Sequence, residues 1–404
     1  MENLNYLAFA MPAFFLFLYL EYKLAQYRKK GHLFKYESSV SNISIGIAER
    51  LINLFVSASF YQVYYWVYNN YAIFDIPNNW VLWIVLILAT DFVWYWYHRL
   101  GHEVNLFWAA HIVHHQSEEF NLTASARITT IQALIRTVFW CILPLIGFHP
   151  TMVITMLLVH GAYSFFTHTQ VLKRVKWLEY VFITPSLHGV HHASDEKYLD
   201  KNYGDMFVFW DKIFGTFQEE EEQPTYGLTH PLKSYSFLWM HFHYYFEIYE
   251  SYKRANTLKG KFNAVFGSPA VMDQDIRPEL EKRFLQDRRF RLRELRFKNY
   301  LTFQIVISVA LLSWFTFFYN TQTIVDKLFY LSFILITLVN CGALLEQRKW
   351  IYYLEYARLA ILLAYLFYSE GYPELVLMTV YLLIVIENVF SLSKWYQKYV
   401  LQTK

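Results

Sequence analysis

The sequence predicts an all-α protein that crosses a membrane many times, and three observations carry that reading. Apolar residues make up 55% of the chain and aromatic residues 21%, more than an ordinary soluble domain carries. Apolar runs near the length of a bilayer crossing recur, close to residues 4–20, 48–68, 80–97, 131–148, 152–168, 300–319, 326–346, 351–368 and 374–391. That gives about nine crossings. The connections between them alternate between rich and poor in Lys and Arg, as alternating sides of a membrane do.

Taken in order, the first run has no basic stretch before it and reads as a crossing, not as a cleaved signal peptide. Residues 21–36 hold Lys23, Arg28, Lys29, Lys30 and Lys35, whereas the loop 69–79 holds only Asp75. The run 131–148 and the next one form a helical hairpin broken by Pro144, Gly147 and His149-Pro150. Residues 169–299 are rich in Lys and Arg, while 149–151, 320–325 and 369–373 have none. Arg348 and Lys349 lie in one late link, and Lys394, Lys398 and Lys404 in the tail. The positive-inside rule then places the N-terminus outside and the C-terminus in the cytosol. The net charge of +3 is too small to imply nucleic acid. Cys141 and Cys341 both sit in apolar runs, which suggests neither a disulfide framework nor a thiolate metal site.

Three histidine clusters interrupt this pattern: His98 with His102; His111, His114 and His115; and His188, His191 and His192. Residues three and four apart on a helix share a face, so each cluster is expected to point its imidazoles one way. Eight imidazoles at repeated spacing fit metal ligation better than core packing. Four ligands satisfy one structural metal, so eight suggest two metals, or one metal with many surrounding partners. The topology puts all three clusters on the cytosolic side. His160 and His168 lie about two turns apart on the fifth run. His168, at its cytosolic end, is the better ligand candidate, and His160 reads more simply as packing. Asp91, inside an apolar run and on the same helix face as His98, is a candidate to offset metal charge, as are Glu103, Asp195 and Asp200. Pro185 is placed to start the helix that carries the third cluster.

The remaining segments divide the chain into an expected catalytic domain over 1–230, a basic linker over 231–299 and a four-helix membrane domain over 300–404. Residues 277–298 alternate Arg with Phe and Leu, as an interfacial helix does. The last four crossings contain no histidine but do contain or adjoin Glu346, Glu355, Glu370 and Glu387.

Imidazole suits both zinc and iron, and iron with open coordination positions performs oxygen chemistry. The stretch after His102 lacks the second histidine of a zinc-protease helix. The boxes Tyr97-His98-Arg99, His111-Ile112-Val113-His114-His115-Gln116 and Thr184-Pro185-Ser186-Leu187-His188 resemble the fatty acid hydroxylase / sterol desaturase superfamily of membrane di-iron enzymes, over roughly residues 85–220. His102-Glu103-Val104-Asn105, Asp200-Lys201-Asn202-Tyr203, Trp210-Asp211-Lys212-Ile213-Phe214-Gly215-Thr216 and Gly227-Leu228-Thr229-His230-Pro231 are similar to its alkylglycerol monooxygenase branch.

The resemblance implies two irons per chain held by His98, His102, His111, His114, His115, His188, His191 and His192, with His168 as a ninth ligand. It implies a catalytic or cofactor-related role for Glu103. It also implies O2 as oxidant, tetrahydrobiopterin as electron donor and a membrane ether lipid as substrate, cleaved to a fatty aldehyde and a glycerol derivative. A fatty acid or sterol hydroxylase or desaturase fed by another electron donor is the alternative. A membrane metal transporter is remote, because transport sites lie near the bilayer midplane and these clusters crowd one surface. The membrane is expected to be the bacterial cytoplasmic membrane or the endoplasmic reticulum. The sequence leaves the oligomeric state open.

Overall fold

The computed structural model describes residues 5–77, 79–285, 298–348, 350–391, 394–395 and 398. It is all-helical, and among the described residues extended pairing is limited to two isolated bridges, Phe182 with Phe207 and Ala193 with Tyr226. In chain order the helices are α1 (Ala10–Tyr27), α2 (Tyr36–Tyr71), α3 (Trp80–Glu103), α4 (Asn105–His111), α5 (Leu122–Ser125), α6 (Gln132–Trp140), α7 (Ile142–Ile146), α8 (Pro150–Thr167) and α9 (Pro185–His191). They continue as α10 (Phe209–Phe214), α11 (Phe237–Arg254), α12 (Leu258–Phe266), α13 (Ile276–Phe284), α14 (Lys298–Phe318), α15 (Ile324–Leu345), α16 (Ile351–Glu370) and α17 (Pro373–Phe390).

Five helices among the described residues are long and apolar enough to span a membrane: α3, α8, α14 with its following turn, α15 and α16. The count rises to six if α2, bent by 40° between Ser57 and Ser59, is one span. Nine were expected; three of the other runs fall short for physical reasons, and the fourth, 374–391, is the apolar helix α17. The run 131–148 breaks at Cys141 into the short α6 and α7. The first run continues into Glu21, Lys23 and Gln26, polar residues on the same helix α1. α2 begins at Tyr36, well before its apolar run, and buries Ser38, Ser41, Asn42, Ser44 and Glu49. The chain is a multi-pass membrane protein all the same.

Two compact units result, and the chain passes between them within α1, between Lys233 and Ser234, within α11 and after Leu285. One comprises Phe15–Lys233 and Met240–Leu285. Its apolar core joins Tyr64, Leu86, Tyr97, Trp140, Leu143, Met152 and Met156 from α2, α3, α6, α7 and α8. α3 starts cleanly because the Asn79 side chain accepts a hydrogen bond from Leu82 N (3.1 Å). It turns Trp80, Ile84, Leu88 and Phe92 outward and buries Thr90, Asp91, Tyr95 and His98. α8 starts on Pro150, with the His149 ring accepting from Thr151 N.

The other unit gathers the N-terminal stretch to Phe14, Ser234–Trp239 and the C-terminal helices. Thr323 and Asp326 form a capping box on α15. Glu355 accepts from Tyr300 (2.6 Å) and Asn340 (2.5 Å) and pairs with Arg358 (2.6 Å). Glu346 accepts from the backbone of Tyr235 and Ser236, and Glu387 accepts from Tyr352 and Tyr356. These carboxylates hold helices together. The expected interfacial helix over 277–298 is helical to Phe284, and residues 286–297 fall outside the described residues.

Candidate metal centre

Nine histidines converge in the first unit, in two groups. His98, His102, His111, His115 and His191 form one, and His114, His168, His188 and His192 the other. Within each group the ligating ring nitrogens lie within 4.8 Å of one another. Eight of the rings are buried, and His102 is partly exposed. Asp91 and Glu103 fall outside both groups.

The way the clusters share out is a finding the spacing did not foretell. Each pair four residues apart stays together: His98 with His102, His111 with His115, His188 with His192. The residue three along crosses to the other group, His114 away from His111 and His191 away from His188. A helical step of three turns the side chain about 60° one way and a step of four about 40° the other, so adjacent histidines diverge by about 100°. One short helix can therefore feed two sites. α4 ends at His111, and the tight turn His114–Gln116 carries the rest of its box. Thr184 caps α9, with Pro185 in its first turn.

The second ring nitrogens explain the convergence. His98 Nδ1 donates to Tyr203 O (2.9 Å), His114 Nδ1 to Arg127 O (3.3 Å), His168 Nδ1 to Ser164 O (2.7 Å) and His191 Nδ1 to Lys201 O (2.9 Å). A carbonyl oxygen can only accept, so each of these rings carries its hydrogen on Nδ1 and a lone pair on Nε2. His114 Nε2 and His168 Nε2 nevertheless lie 3.1 Å apart. Two lone pairs at that distance repel. Protonating one ring would relieve this, but burial pushes His114 well below its ordinary pKa and His168 down to about 4. Burial and neighbouring imidazoles likewise push His111, His115, His188, His191 and His192 well below the ordinary value. His191 Nε2 is buried with no hydrogen-bond partner. A cation between the lone pairs resolves each of these conflicts, so the donor set fits bound metal.

The supporting loop is fixed by carboxylates. Asp91 accepts from Met206 N (2.9 Å), Phe207 N (3.2 Å) and Trp210 Nε1 (3.0 Å). It touches none of the nine rings, since it sits seven residues before His98, about 10 Å along the helix. His160 lies 3.5 Å from Asp91 and donates to Asp205 (2.7 Å), all three side chains being buried. These three also satisfy a ligand-type geometry, but backbone and indole donors already occupy Asp91. Asp211 accepts from Tyr203 N (2.7 Å), Gly204 N (2.9 Å) and Thr216 Oγ1 (2.7 Å). At Gly204 a Cβ would stand 2.7 Å from Phe207 O and 2.8 Å from Asp211 Oδ2, so only glycine fits. Buried Asn202, at φ 53°, ties the same loop to Leu187 O and Gln218 O. Asp200 lies 3.7 Å from His102 Nδ1, while Asp195 accepts from Thr225 N. Glu103, at the end of α3, is half-exposed and paired with Arg99 (2.9 Å).

Sequence reasoning missed the carbonyl partners, which no side-chain pattern reveals. It also missed Trp108, whose ring centroid lies 4.9 Å from His102 and 5.5 Å from His115. His241 and His243, three residues long as a motif, were unread too. Gln116 donates to His243 Nε2 (3.0 Å), and His243 Nδ1 donates to Glu247 (2.8 Å), which Arg277 also holds (2.7 Å). Near the four-histidine group, Phe120 packs on His192 (5.1 Å) and stacks on Tyr226 (4.8 Å). Tyr226 in turn lines a cleft of about 850 Å³ with Lys30, Lys35, Glu118, Thr225 and Lys233.

Residues 83–216 match the family model described as fatty acid hydroxylase. The chain is 32% identical to human alkylglycerol monooxygenase over 356 residues, which is 85% of this chain and 78% of that protein. It is 30% identical to the ornithine lipid hydroxylase OlsE of Rhizobium tropici, over 35% of this chain and 44% of that protein. It is 26% identical to mouse lathosterol oxidase, over 36% of this chain and 48% of the relative. No solved structure matches.

Proposed function

The chain belongs to the alkylglycerol monooxygenase family, within the fatty acid hydroxylases, and is a lipid oxidoreductase; from that premise we propose that it is a di-iron monooxygenase that cleaves the ether bond of alkylglycerols. The opposed Nε2 lone pairs of His114 and His168 are the observation that carries the metal part of this reading. Each histidine group would hold one iron, five imidazoles on one and four on the other. Bound iron would supply the O2 chemistry that acid–base side chains cannot perform on a C–H bond.

The balance is that of a monooxygenase. One oxygen atom enters the carbon next to the ether oxygen. The other leaves as water, with two electrons from an external donor and two protons. The resulting hemiacetal collapses to a fatty aldehyde and the glycerol hydroxyl. The resemblance favours tetrahydrobiopterin as the donor.

The chain's own residues bind, orient and exclude water. Tyr203, Arg127, Ser164 and Lys201 carbonyls fix the ring tautomers. Trp108 and Phe120 pack aromatic surface on the rings, with Tyr226 stacked behind Phe120. Glu103 is the exposed carboxylate beside His102, suited to meeting a donor or a substrate hydroxyl. The charge bias of the loops favours a site facing the cytosol.

The test supplies membranes holding the protein with an alkylglycerol, O2 and tetrahydrobiopterin. Fatty aldehyde that forms only with the pterin supports the proposal. A hydroxylated or desaturated acyl chain without aldehyde would replace it with the other lipid-oxidising chemistry of the superfamily.

A further inference from the structure

α12 carries an apolar stripe that faces away from the protein. Leu258, Phe262 and Phe266 recur every four residues and are 88%, 61% and 48% exposed. Ala264, on the opposite side of the helix, is 5% exposed. At 100° per residue the stripe centres about 160° from Ala264, so the helix has one buried edge and one bare apolar face. Thr257 caps it by accepting from Gly260 N (3.0 Å). Lys259 and Lys261 flank the stripe, and Tyr249 and Tyr252 at the end of α11 extend the exposed surface.

The height of this helix relative to the bilayer follows from its anchor. Asn105 N donates to Gly267 O (2.9 Å), and Asn105 Nδ2 to Asn263 O (3.3 Å) and Ala264 O (3.2 Å). Tyr244 of α11 donates to Asn105 Oδ1 (2.7 Å). The outward apolar face of the spanning helix α3 begins at Trp80. A hydrocarbon core about 30 Å thick takes about 20 helical residues, which brings its far edge near Leu100. Asn105 therefore stands in the headgroup zone, and α12 hangs on it.

We propose that α12 lies in the membrane interface, its Leu258–Phe262–Phe266 face among the acyl chains of the leaflet on the metal-centre side and its lysines at the headgroups. Apolar stripe, flanking cations and aromatic neighbours are what a helix lying in that zone needs. The seat also has a consequence for the reaction. α12 rests on α4, which carries Trp108 and His111. Lipid chains under α12 would then be one helix away from the five-histidine group. The inference needs the membrane reading of the fold, but neither iron nor turnover.

A nitroxide at position 258, 262 or 266, one at a time in the full chain with Cys141→Ala and Cys341→Ala, tests it in vesicles containing anionic phospholipid. Collisions with dissolved O2 should exceed those with a water-soluble nickel chelate several-fold at all three positions, and the ratio should fall at Lys259. Dominance of the nickel reagent at the three sites would place the face in water. Shielding from both reagents would mean that protein covers it. Either result overturns the proposal. With the natural cysteines kept, a photoreactive phenylalanine at 262 should crosslink to lipid, and a protein adduct or none would count equally against it.

Discussion

Asp211→Asn should separate the two histidine groups. The native carboxylate accepts from Tyr203 N, Gly204 N and Thr216 Oγ1 at 2.7, 2.9 and 2.7 Å. Asparagine keeps one acceptor oxygen, and its amide must face one of the two backbone N–H groups. A buried donor left unpaired costs about 1–3 kcal/mol. The turn it belongs to carries the Lys201 and Tyr203 carbonyls, which hold His191 and His98. If the turn yields, that cost falls on the five-histidine group as a loss of metal affinity of about 5- to 150-fold. Loss of an outer partner of a metal ligand commonly costs about 10- to 100-fold, so two independent routes reach the same range. The four-histidine group leans on the Arg127 and Ser164 carbonyls instead, and Asp211 touches neither.

The assay is a chelator titration of the iron-loaded protein, read by the colour of the released complex. Wild type should give up about two equivalents. The variant should release one equivalent at a chelator activity lower by about 10- to 100-fold and hold the other as wild type does. Equal weakening of both equivalents, or of neither, would refute the assignment of the Asp211 loop to one group.

Other substitutions probe the remaining parts. His168→Ala should remove about one iron equivalent and abolish aldehyde formation, measured by metal analysis and product assay. Gly204→Ala, whose Cβ would press on Phe207 O at 2.7 Å, should reproduce the Asp211→Asn release curve. Glu103→Gln should lower turnover while leaving iron content unchanged, because the half-exposed carboxylate pairs with Arg99 and belongs to neither histidine group; a fall in iron content would make its role structural. Glu247 is pushed up by burial but pulled further down by the His243 hydrogen bond and the charge of Arg277, ending below its ordinary value of 4.5. A depressed carboxylate adds stability that is present above its unfolded pKa and lost as pH falls through the folded one. Glu247→Gln should therefore lower the thermal midpoint at pH 7, and the gap from wild type should close at pH values below the ordinary carboxylate range.

Residue identity made the histidine groups legible, and backbone geometry hid how they work. The nine imidazoles that converge are the nine that spacing and resemblance singled out, because no other side chain marks metal chemistry so plainly. Their division into five and four was not legible, since sharing a helix face is too coarse to resolve a divergence of about 100°. Asp91 shows a further limit. Its place inside an apolar run signalled importance, but its partners are the N–H groups of Met206 and Phe207, more than a hundred residues away. Apolar content gave the all-helical membrane class but not where each run stays one straight helix, since a run of suitable length can break, as at Cys141, or bend, as α2 does between Ser57 and Ser59.

The ring partners bear on redox chemistry. Metal charge held by nine neutral imidazoles would call for compensating anions, and among the described residues few carboxylates stand near the rings. Four of the rings are oriented by carbonyls, which bring partial charge only, and the carboxylate nearest a ligand ring, Asp200, stands 3.7 Å from His102 at the exposed edge. Asp91 and Asp211 spend their charge on the supporting loop. A buried cation surrounded in this way keeps most of its charge in a medium that screens it poorly. Iron bound as proposed would be favoured in the lower of its two oxidation states, which would suit a centre that takes electrons from an outside donor.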